Sequence, residues 1–197
     1  MRQRSNILKL RERLKSFHNK ANVGVLGILN VTPDSFFDGG QSFSVEKAIA
    51  KGLELKDEGA EIIDIGGQSS RPGASSVGAN DEWSRIEPVL QGILERDPTA
   101  LISIDTYRSE VAYKAINAGA VMINDISAGS IDPELLNVVA EADVPYVLMH
   151  MRGRPDNMQN NPVYVDVVRE VYDFFLKKTE ELLGLGIEDV ILDPGFG

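Results

Sequence analysis

The fold is decided by the stretch Asp64-Ile65-Gly66-Gly67-Gln68-Ser69-Ser70-Arg71-Pro72-Gly73, which an apolar run beginning at Glu61 leads into. A strand that ends in two glycines and then becomes polar can bring its backbone close to a ligand, because glycine carries no Cβ and admits positive φ. Ser70 and Arg71 add a hydroxyl and a planar, permanently charged guanidinium, which suits phosphate or carboxylate. An ordinary turn between a strand and a helix fits the same residues.

The same layout recurs along the chain, where an apolar run is followed by polar residues and then by residues at helical spacing. The predicted strands are Val23 to Asn30, Glu61 to Ile65, Leu101 to Ile104, Val121 to Ile123, Val144 to Leu148 and Val190 to Leu192. The predicted helices are one capped by Ser44 and reaching Leu55, Asn80 to Glu95, Arg108 to Asn117, one opened by Asp132-Pro133 and reaching Ala140, and Val163 to Leu183. We expect Pro88 to kink or restart its helix.

Strands that alternate with helices favour a parallel sheet with helical crossovers, either a (β/α)8 barrel or an open doubly wound sheet. The glycine fingerprint of dinucleotide-binding sheets is absent after the first strand, where Leu29-Asn30-Val31-Thr32 stands instead. Polar groups follow every predicted strand, whereas an open sheet concentrates its ligand at one switch point. We therefore predict the α/β class and a TIM barrel over residues 23–197.

About six of the eight β/α units are present in the predicted barrel. Six units leave an unpaired parallel edge on the first and on the last strand, which is an aggregation hazard in an apolar sheet. We expect the sequence to be the N-terminal part of a longer protein.

Composition excludes several classes of function. The formal charge of −10 disfavours nucleic acid as a partner, since phosphate backbones need basic surfaces. With no cysteine and 2 histidines, disulfides, thiolate sites and multi-histidine metal sites are excluded, while an oxygen-bound ion such as Mg²⁺ remains compatible. No apolar run approaches the roughly 20 residues of a membrane span, and we expect a cytoplasmic protein.

The N-terminal segment, residues 1–22, is basic and carries Ile7, Leu10, Leu14 and Phe17 at helical spacing. An organelle-targeting segment has this character, as does an amphipathic helix lying against the domain. The second interpretation is favoured, because the spacing runs directly into the first strand and there is little serine.

Asp105, Asn124 and Asp193 stand at the ends of the third, fourth and sixth predicted strands. Two carboxylates and an amide at one barrel mouth suit a neutral heterocycle with many N–H donors, because a carboxylate accepts two parallel N–H bonds. Each residue alone also fits a helix N-cap. Asn30 can offer an oxygen to Mg²⁺, which takes few protein ligands, or can cap the following turn.

Two stretches are long and specific: Leu29-Asn30-Val31-Thr32-Pro33-Asp34-Ser35-Phe36-Phe37-Asp38-Gly39-Gly40, and Asp64 to Gly73. Shorter landmarks follow in order: Ile104-Asp105-Thr106, Asn124-Asp125-Ile126, Met149-His150-Met151-Arg152-Gly153 and Asp193-Pro194-Gly195-Phe196-Gly197. Together they resemble the dihydropteroate synthase family, from about Val23 to the last residue.

The resemblance implies a TIM-barrel transferase of folate synthesis. Such an enzyme joins 6-hydroxymethyl-7,8-dihydropterin diphosphate to p-aminobenzoate and releases pyrophosphate with Mg²⁺; the family is the target of sulfonamides. By position, Asp105, Asn124 and Asp193 would hold the pterin, and Asn30 the metal. Ser70 and Arg71 would lie near p-aminobenzoate and the diphosphate, and the first loop, with Phe36 and Asp38, would close over the second substrate.

This sequence departs from the family pattern in two places. Gln68-Ser69-Ser70 stands where the family usually has Glu-Ser-Thr, which removes a charge and keeps a hydroxyl. The family's later Lys on the seventh strand and Arg-x-His motif on the eighth are not in these residues. We therefore expect the 197-residue chain alone to be inactive, and the full-length protein to be a homodimer through late helices.

Two other interpretations stay open. A pterin-binding methyltransferase domain would share the barrel and the carboxylate–amide site but would need no diphosphate site. A catalytically silent homologue would bind pterin or a partner protein, and Gln68 is compatible with it.

Overall fold

The computed structural model describes residues 2–17, 23–32, 41–68, 77–152 and 163–196. Helices and strands alternate in the order α1 Arg2–Phe17, β1 Leu26–Asn30, α2 Gln41–Asp57, β2 Ile62–Gly66, α3 Ala79–Arg96, β3 Ile102–Asp105, α4 Ser109–Ala118, β4 Met122–Asp125, α5 Glu134–Ala142, β5 Tyr146–Met149, α6 Val167–Gly184 and β6 Val190–Asp193. No helix within these ranges is long and apolar enough to span a membrane.

The six strands form one sheet in the order β1-β2-β3-β4-β5-β6, and every neighbouring pair is parallel. Each strand therefore lies beside the strand that follows it along the chain, which is the arrangement of a barrel rather than of a doubly wound sheet. The predicted α/β fold with six barrel units is confirmed.

Alternate residues of each strand face the helices and form the core. Ile63 and Ile65 on β2, and Ile102 and Ile104 on β3, are fully or almost fully buried, and so is Ile123 on β4. β-Branched residues pack well on a pleated surface that is covered on both sides. The opposite face of the same strands lines the inside of the barrel and carries most of their polar residues; Asp125, on the same face as Ile123, is an exception.

Three local predictions are wrong in whole or in part. Ser44 does not cap α2, which already begins at Gln41, because Gln, Ser and Phe at 41–43 tolerate helical geometry. Pro88 does not restart the helix, because α3 runs unbroken from Ala79 to Arg96, whereas the predicted kink stays a prediction. The buried face of α3, Ile86, Val89, Leu90 and Ile93, offsets the roughly 3 kcal/mol that an internal proline costs.

The third concerns Asp132-Pro133. Pro133 takes the N-cap position of α5 and makes no side-chain cap bond. The Asp132 carboxylate accepts hydrogen bonds from the backbone N–H and the hydroxyl of Ser109, both at 2.7 Å, and also from the backbone N–H of Glu134, so it serves the starts of both α4 and α5. The capping residue of α4 is therefore remote in sequence, which a local motif does not reveal.

Helix α1 lies across the N-terminal edge of the sheet. Ile7 and Leu10 are buried, as the amphipathic-helix interpretation expects. Arg11 forms ion pairs with Asp143 and Asp189, each 2.5 Å long, just before β5 and β6. Further polar contacts reach the residues preceding β2, β3 and β4: Arg13 to Glu61, Asn6 to the Pro98 carbonyl, and Gln3 to the Ala120 carbonyl.

We expect Arg11→Ala to lower the free energy of unfolding by about 1 kcal/mol, because the ion pairs are partly exposed. Arg11 holds the pKa of Asp143 below its usual value, so this stabilisation is present at neutral pH and is lost as the pH falls through the folded-state pKa. Urea unfolding at neutral and acid pH measures both effects.

The exposed Lys9 of the same helix provides the control, since Lys9→Ala removes a positive charge without removing an ion pair seen in the described residues. Equal losses for the two variants would show that net charge, rather than the Arg11 pairs, stabilises the helix.

Candidate active site

Asp105 and Asn124 lie side by side at the C-terminal edge of the sheet. In the strand register Gly66 pairs with Asp105, and Asp105 pairs with Asn124. Residues level with each other on parallel strands point to the same face, about 4.8 Å apart. The strands β3 and β4 include these residues, so both side chains belong to the sheet and are oriented by its pleat.

Asp193 lies on the same inner face of the sheet, two residues nearer the C-terminal edge than Asn124. Asn124 is level with Val147 and Asp193 with Met149, two residues on, so all four side chains point inward. The Asp193 Oδ1 atom accepts the backbone N–H of Gly195 at 2.8 Å, which fixes the carboxylate. Gly195 has φ of 69° and lies against the His150 carbonyl, so a side chain there would clash.

Asp64 orients the Asn124 amide. Asp64 is almost fully buried two residues before Gly66, and its Oδ2 atom accepts the Nδ2–H of Asn124 at 2.9 Å. The side-chain oxygen of Asn124 can then accept a hydrogen bond from a ligand. Asp105, Asn124 and Asp193 thus all present acceptors, which matches a ligand edge rich in N–H donors.

The Asp105 carboxyl has no hydrogen-bond donor among the described residues. Burial, and then the nearby Asp64, Glu82 and Asp125 carboxylates, raise the pKa of Asp105 to about 8. Burial also raises the pKa of Asp64. A ligand that donates N–H bonds to Asp105 favours its charged form and offsets that desolvation.

Gly66 and Gly67 are glycines for two different reasons, and neither uses positive φ. A Cβ on Gly66 would lie 3.1 Å from Asn30 Oδ1 and 3.3 Å from Asp105 Oδ2, so Gly66 opens the inner face at the mouth. A Cβ on Gly67 would lie 2.9 Å from the Glu82 carbonyl, so Gly67 permits close packing against α3.

Asn30 therefore lies with its carbonyl oxygen beside the same glycine as an Asp105 oxygen. Neutral amide and carboxylate oxygens are the ligands that Mg²⁺ accepts, and the ion takes few of them from protein. The Asn30 oxygen is chemically suited to such an ion, and the Mg²⁺ site stays a prediction. Within the described ranges no cluster of three or more His, Cys, Asp or Glu side chains is arranged for a metal.

Four predicted site residues lie outside the described residues: Phe36, Asp38, Ser70 and Arg71. Gln68, where the family usually has Glu, is described. Its Nε2–H donates to the Tyr107 hydroxyl at 2.8 Å, which ties the end of β2 to the loop after β3.

His150 follows β5 and packs among aromatic side chains. Its ring packs edge-on against Phe174, with centroids 5.0 Å apart, and lies near Tyr164 and Phe175. Burial, and then the charge of Arg152, lower the pKa of His150, which favours the neutral ring at pH 7.

Sequence reasoning missed three buried carboxylates around the site: Asp64, Glu82 and Asp125. Asp125 accepts the backbone N–H groups of Ser127 and Gly129 and the Tyr146 hydroxyl, all at 2.7 Å, and so braces the segment after β4. An acid within an apolar strand was the available signal for Asp64 and Asp125. Glu82 gave none, because an acid in a helix's first turn is ordinary.

Comparison with known proteins agrees with this geometry. The model of a family described as "Pterin binding enzyme" matches residues 26–197. The chain belongs to this family. All the residues that converge at the mouth lie within the matched range.

Individual relatives carry narrower names. A dihydropteroate synthase of Synechocystis is 47% identical over 175 residues, which cover 88% of this chain and 60% of that protein. A mitochondrial folate synthesis bifunctional protein of Arabidopsis thaliana is 45% identical over 197 residues, 97% of this chain and 35% of that protein. A structure of Xanthomonas albilineans dihydropteroate synthase with 4-aminobenzoic acid superposes with a TM-score of 0.81 at 44% identity, covering 90% of this chain and 63% of that one.

The chain thus spans between about a third and two thirds of the length of these relatives. The similarity covers all six strands described above, because it extends over nearly the whole of this sequence.

We expect Asp105→Asn to stabilise the fold and to weaken pterin binding. A carboxyl whose pKa is raised to about 8 keeps its proton on folding, so stability falls as pH rises from about 4 to about 8. Asn removes that penalty, worth about 1–3 kcal/mol at pH 7, and also removes an acceptor. Unfolding curves at several pH values and calorimetry with 6-hydroxymethylpterin measure the two effects.

Wild-type affinity should rise as the pH increases towards about 8, because binding releases the Asp105 proton. An Asp105→Asn variant with unchanged stability and unchanged affinity would contradict both the buried carboxyl and its contact with pterin.

Proposed function

We propose that the protein is a dihydropteroate synthase, which condenses 6-hydroxymethyl-7,8-dihydropterin diphosphate with p-aminobenzoate to 7,8-dihydropteroate and pyrophosphate. The observation that carries the proposal is the convergence of Asp105, Asn124 and Asp193 on one inner face as hydrogen-bond acceptors. The names of its relatives and the 4-aminobenzoic acid bound to one of them support the choice of reaction.

In this proposal the acceptors hold the N–H-rich edge of the pterin and leave its methylene group facing the mouth. Pyrophosphate departs as the bond between the methylene carbon and oxygen breaks. The aniline nitrogen of p-aminobenzoate then forms the new bond to that carbon and loses a proton. Negative charge near the ring favours the cationic character that develops there, and this charge comes from Asp105, which loses its proton when pterin binds.

We propose that Ser70 and Arg71 bind p-aminobenzoate and the diphosphate, and that Phe36 and Asp38 belong to a loop that closes over the second substrate, as the family resemblance implies. We propose that Asn30 holds Mg²⁺ through its amide oxygen. When bound, this ion would neutralise charge on the leaving diphosphate.

The methyltransferase alternative shares the acceptor set but needs no aniline substrate. The Asn-Val-Thr-Pro-Asp stretch from Asn30 to Asp34 and the turn Ser70-Arg71-Pro72-Gly73 favour the synthase. A silent homologue would bind pterin without releasing pyrophosphate.

We further propose a homodimer and a cytoplasmic location for the full-length protein. The basic N-terminal segment is engaged in α1, which packs across the barrel.

Pyrophosphate release and dihydropteroate formation by the full-length protein test the reaction. We expect both products, dependence on both substrates and on Mg²⁺, and competition by a sulfonamide against p-aminobenzoate. Complementation of a folate auxotroph is the cellular counterpart.

Pterin binding with no pyrophosphate release would favour the silent homologue. Methyl transfer from methyltetrahydrofolate, unaffected by sulfonamide, would favour the methyltransferase.

A further inference from the structure

Glu82 is a buried acid that the proposed reaction does not use. It lies in the first turns of α3 and is 1% exposed, yet it belongs to the rim of the barrel rather than to the apolar core. Burial raises the pKa of Glu82, against the effects of Thr106 and Arg108. A buried charge of this kind is seldom the most stable choice, since an apolar residue of similar size often does as well.

Both carboxylate oxygens of Glu82 bind residues that follow β3. The Thr106 hydroxyl donates to Oε1 at 2.6 Å, and Arg108 Nε donates to Oε2 at 3.0 Å. The backbone N–H of Thr106 donates in turn to the Asn124 carbonyl at 3.0 Å. Thr106 therefore links Glu82 to Asp105 and Asn124, the two neighbouring acceptors proposed for the pterin.

The same cluster reaches both sides of the segment between β2 and α3. Arg85, one turn after Glu82, donates to the Gly67 carbonyl at 2.9 Å. Arg108 donates to the Val77 carbonyl at 2.6 Å. Gly67 packs directly on the Glu82 backbone. The chain is thus held immediately before and after residues 69–76.

We propose that Glu82 is a positioning residue: through its bonds to Thr106 and Arg108, and through the packing of Gly67 against it, it holds the ends of β2 and β3 in one geometry, and so places Asp105 for the pterin. This inference rests on the proposed synthase activity. Glu82 touches no reacting atom, and its effect is carried by the backbone to which Asp105 belongs.

The physical reason is the sensitivity of the reaction to small displacements. An error of about 1 Å in placement can cost roughly 100-fold in rate. Asp105 has no donor of its own among the described residues, so its position depends on its neighbours in the strand and on Thr106. Charge-assisted bonds to a buried carboxylate are short and directional, which suits that task.

The test compares Glu82→Gln with Glu87→Gln in the full-length protein. A glutamine amide in place of the Glu82 carboxylate would accept only one of the two bonds, because its NH₂ group would face either the Thr106 hydroxyl or the Arg108 guanidinium. We expect kcat/KM for the pterin diphosphate to fall roughly tenfold to 100-fold and affinity for 6-hydroxymethylpterin to fall with it. Glu87, on the same helix but bonded only to Gln91 in the described structure, should leave both values unchanged when it is substituted.

A second pair of variants keeps the test valid if Glu82→Gln does not fold. Thr106→Ser retains the hydroxyl and should keep most of the activity, whereas Thr106→Val should lose it as Glu82→Gln does. The double variant Glu82→Gln/Thr106→Val should cost little more than the worse single change, because both remove the same bond.

A fall in thermal stability with kcat/KM unchanged for Glu82→Gln, or equal activity of the Thr106→Ser and Thr106→Val variants, would overturn the positioning role and leave the proposed function intact. A wild-type protein that neither binds pterin nor makes dihydropteroate would instead overturn the proposed function, and this inference with it.

Discussion

Parallel pairing of consecutive strands is the constraint on which the site depends. It brings the C-terminal end of every strand to one edge, and the register sets Gly66, Asp105 and Asn124 level with one another. Side chains distant in sequence thereby share one face with fixed spacing. The same pairing brings Asp64 close to Asp105, and α3 adds Glu82, so burial and then these carboxylates raise the pKa of Asp105.

Hydrogen-bond donors stabilise most of these crowded carboxylates. Asn124 donates to Asp64, Thr106 and Arg108 donate to Glu82, and two backbone N–H groups and Tyr146 donate to Asp125. Within this group of carboxylates, Asp105 alone is left without a donor in the described residues. The unpaired Asp105 carboxyl therefore lowers the stability of the fold but is available to bind the ligand. The hydrogen-bonded carboxylates of Asp125 and Glu82 stabilise the fold and hold the site in place at the same time.

The two ends of the sheet have different tasks. At the N-terminal end, α1 binds the residues that precede β2 to β6 through ion pairs and backbone carbonyls. At the C-terminal end, some polar residues face the mouth of the barrel, and others form hydrogen bonds that fix the position of those residues. The apolar layer between strands and helices lies between these two ends, and its stability offsets the cost of the buried carboxylates at the C-terminal end.

Sequence alone determined the strand–helix alternation, the parallel class, the basic amphipathic helix and the three strand-end acceptors proposed for the pterin, because each depends on local periodicity or on a residue directly at a strand end. Tertiary structure decided what Asp132 caps, which way the Asn124 amide faces, why Gly66 and Gly67 are glycines, and that Glu82 joins the ends of two strands. These properties depend on residues from different strands and helices meeting at short range, and spacing along one segment carries no information about such encounters.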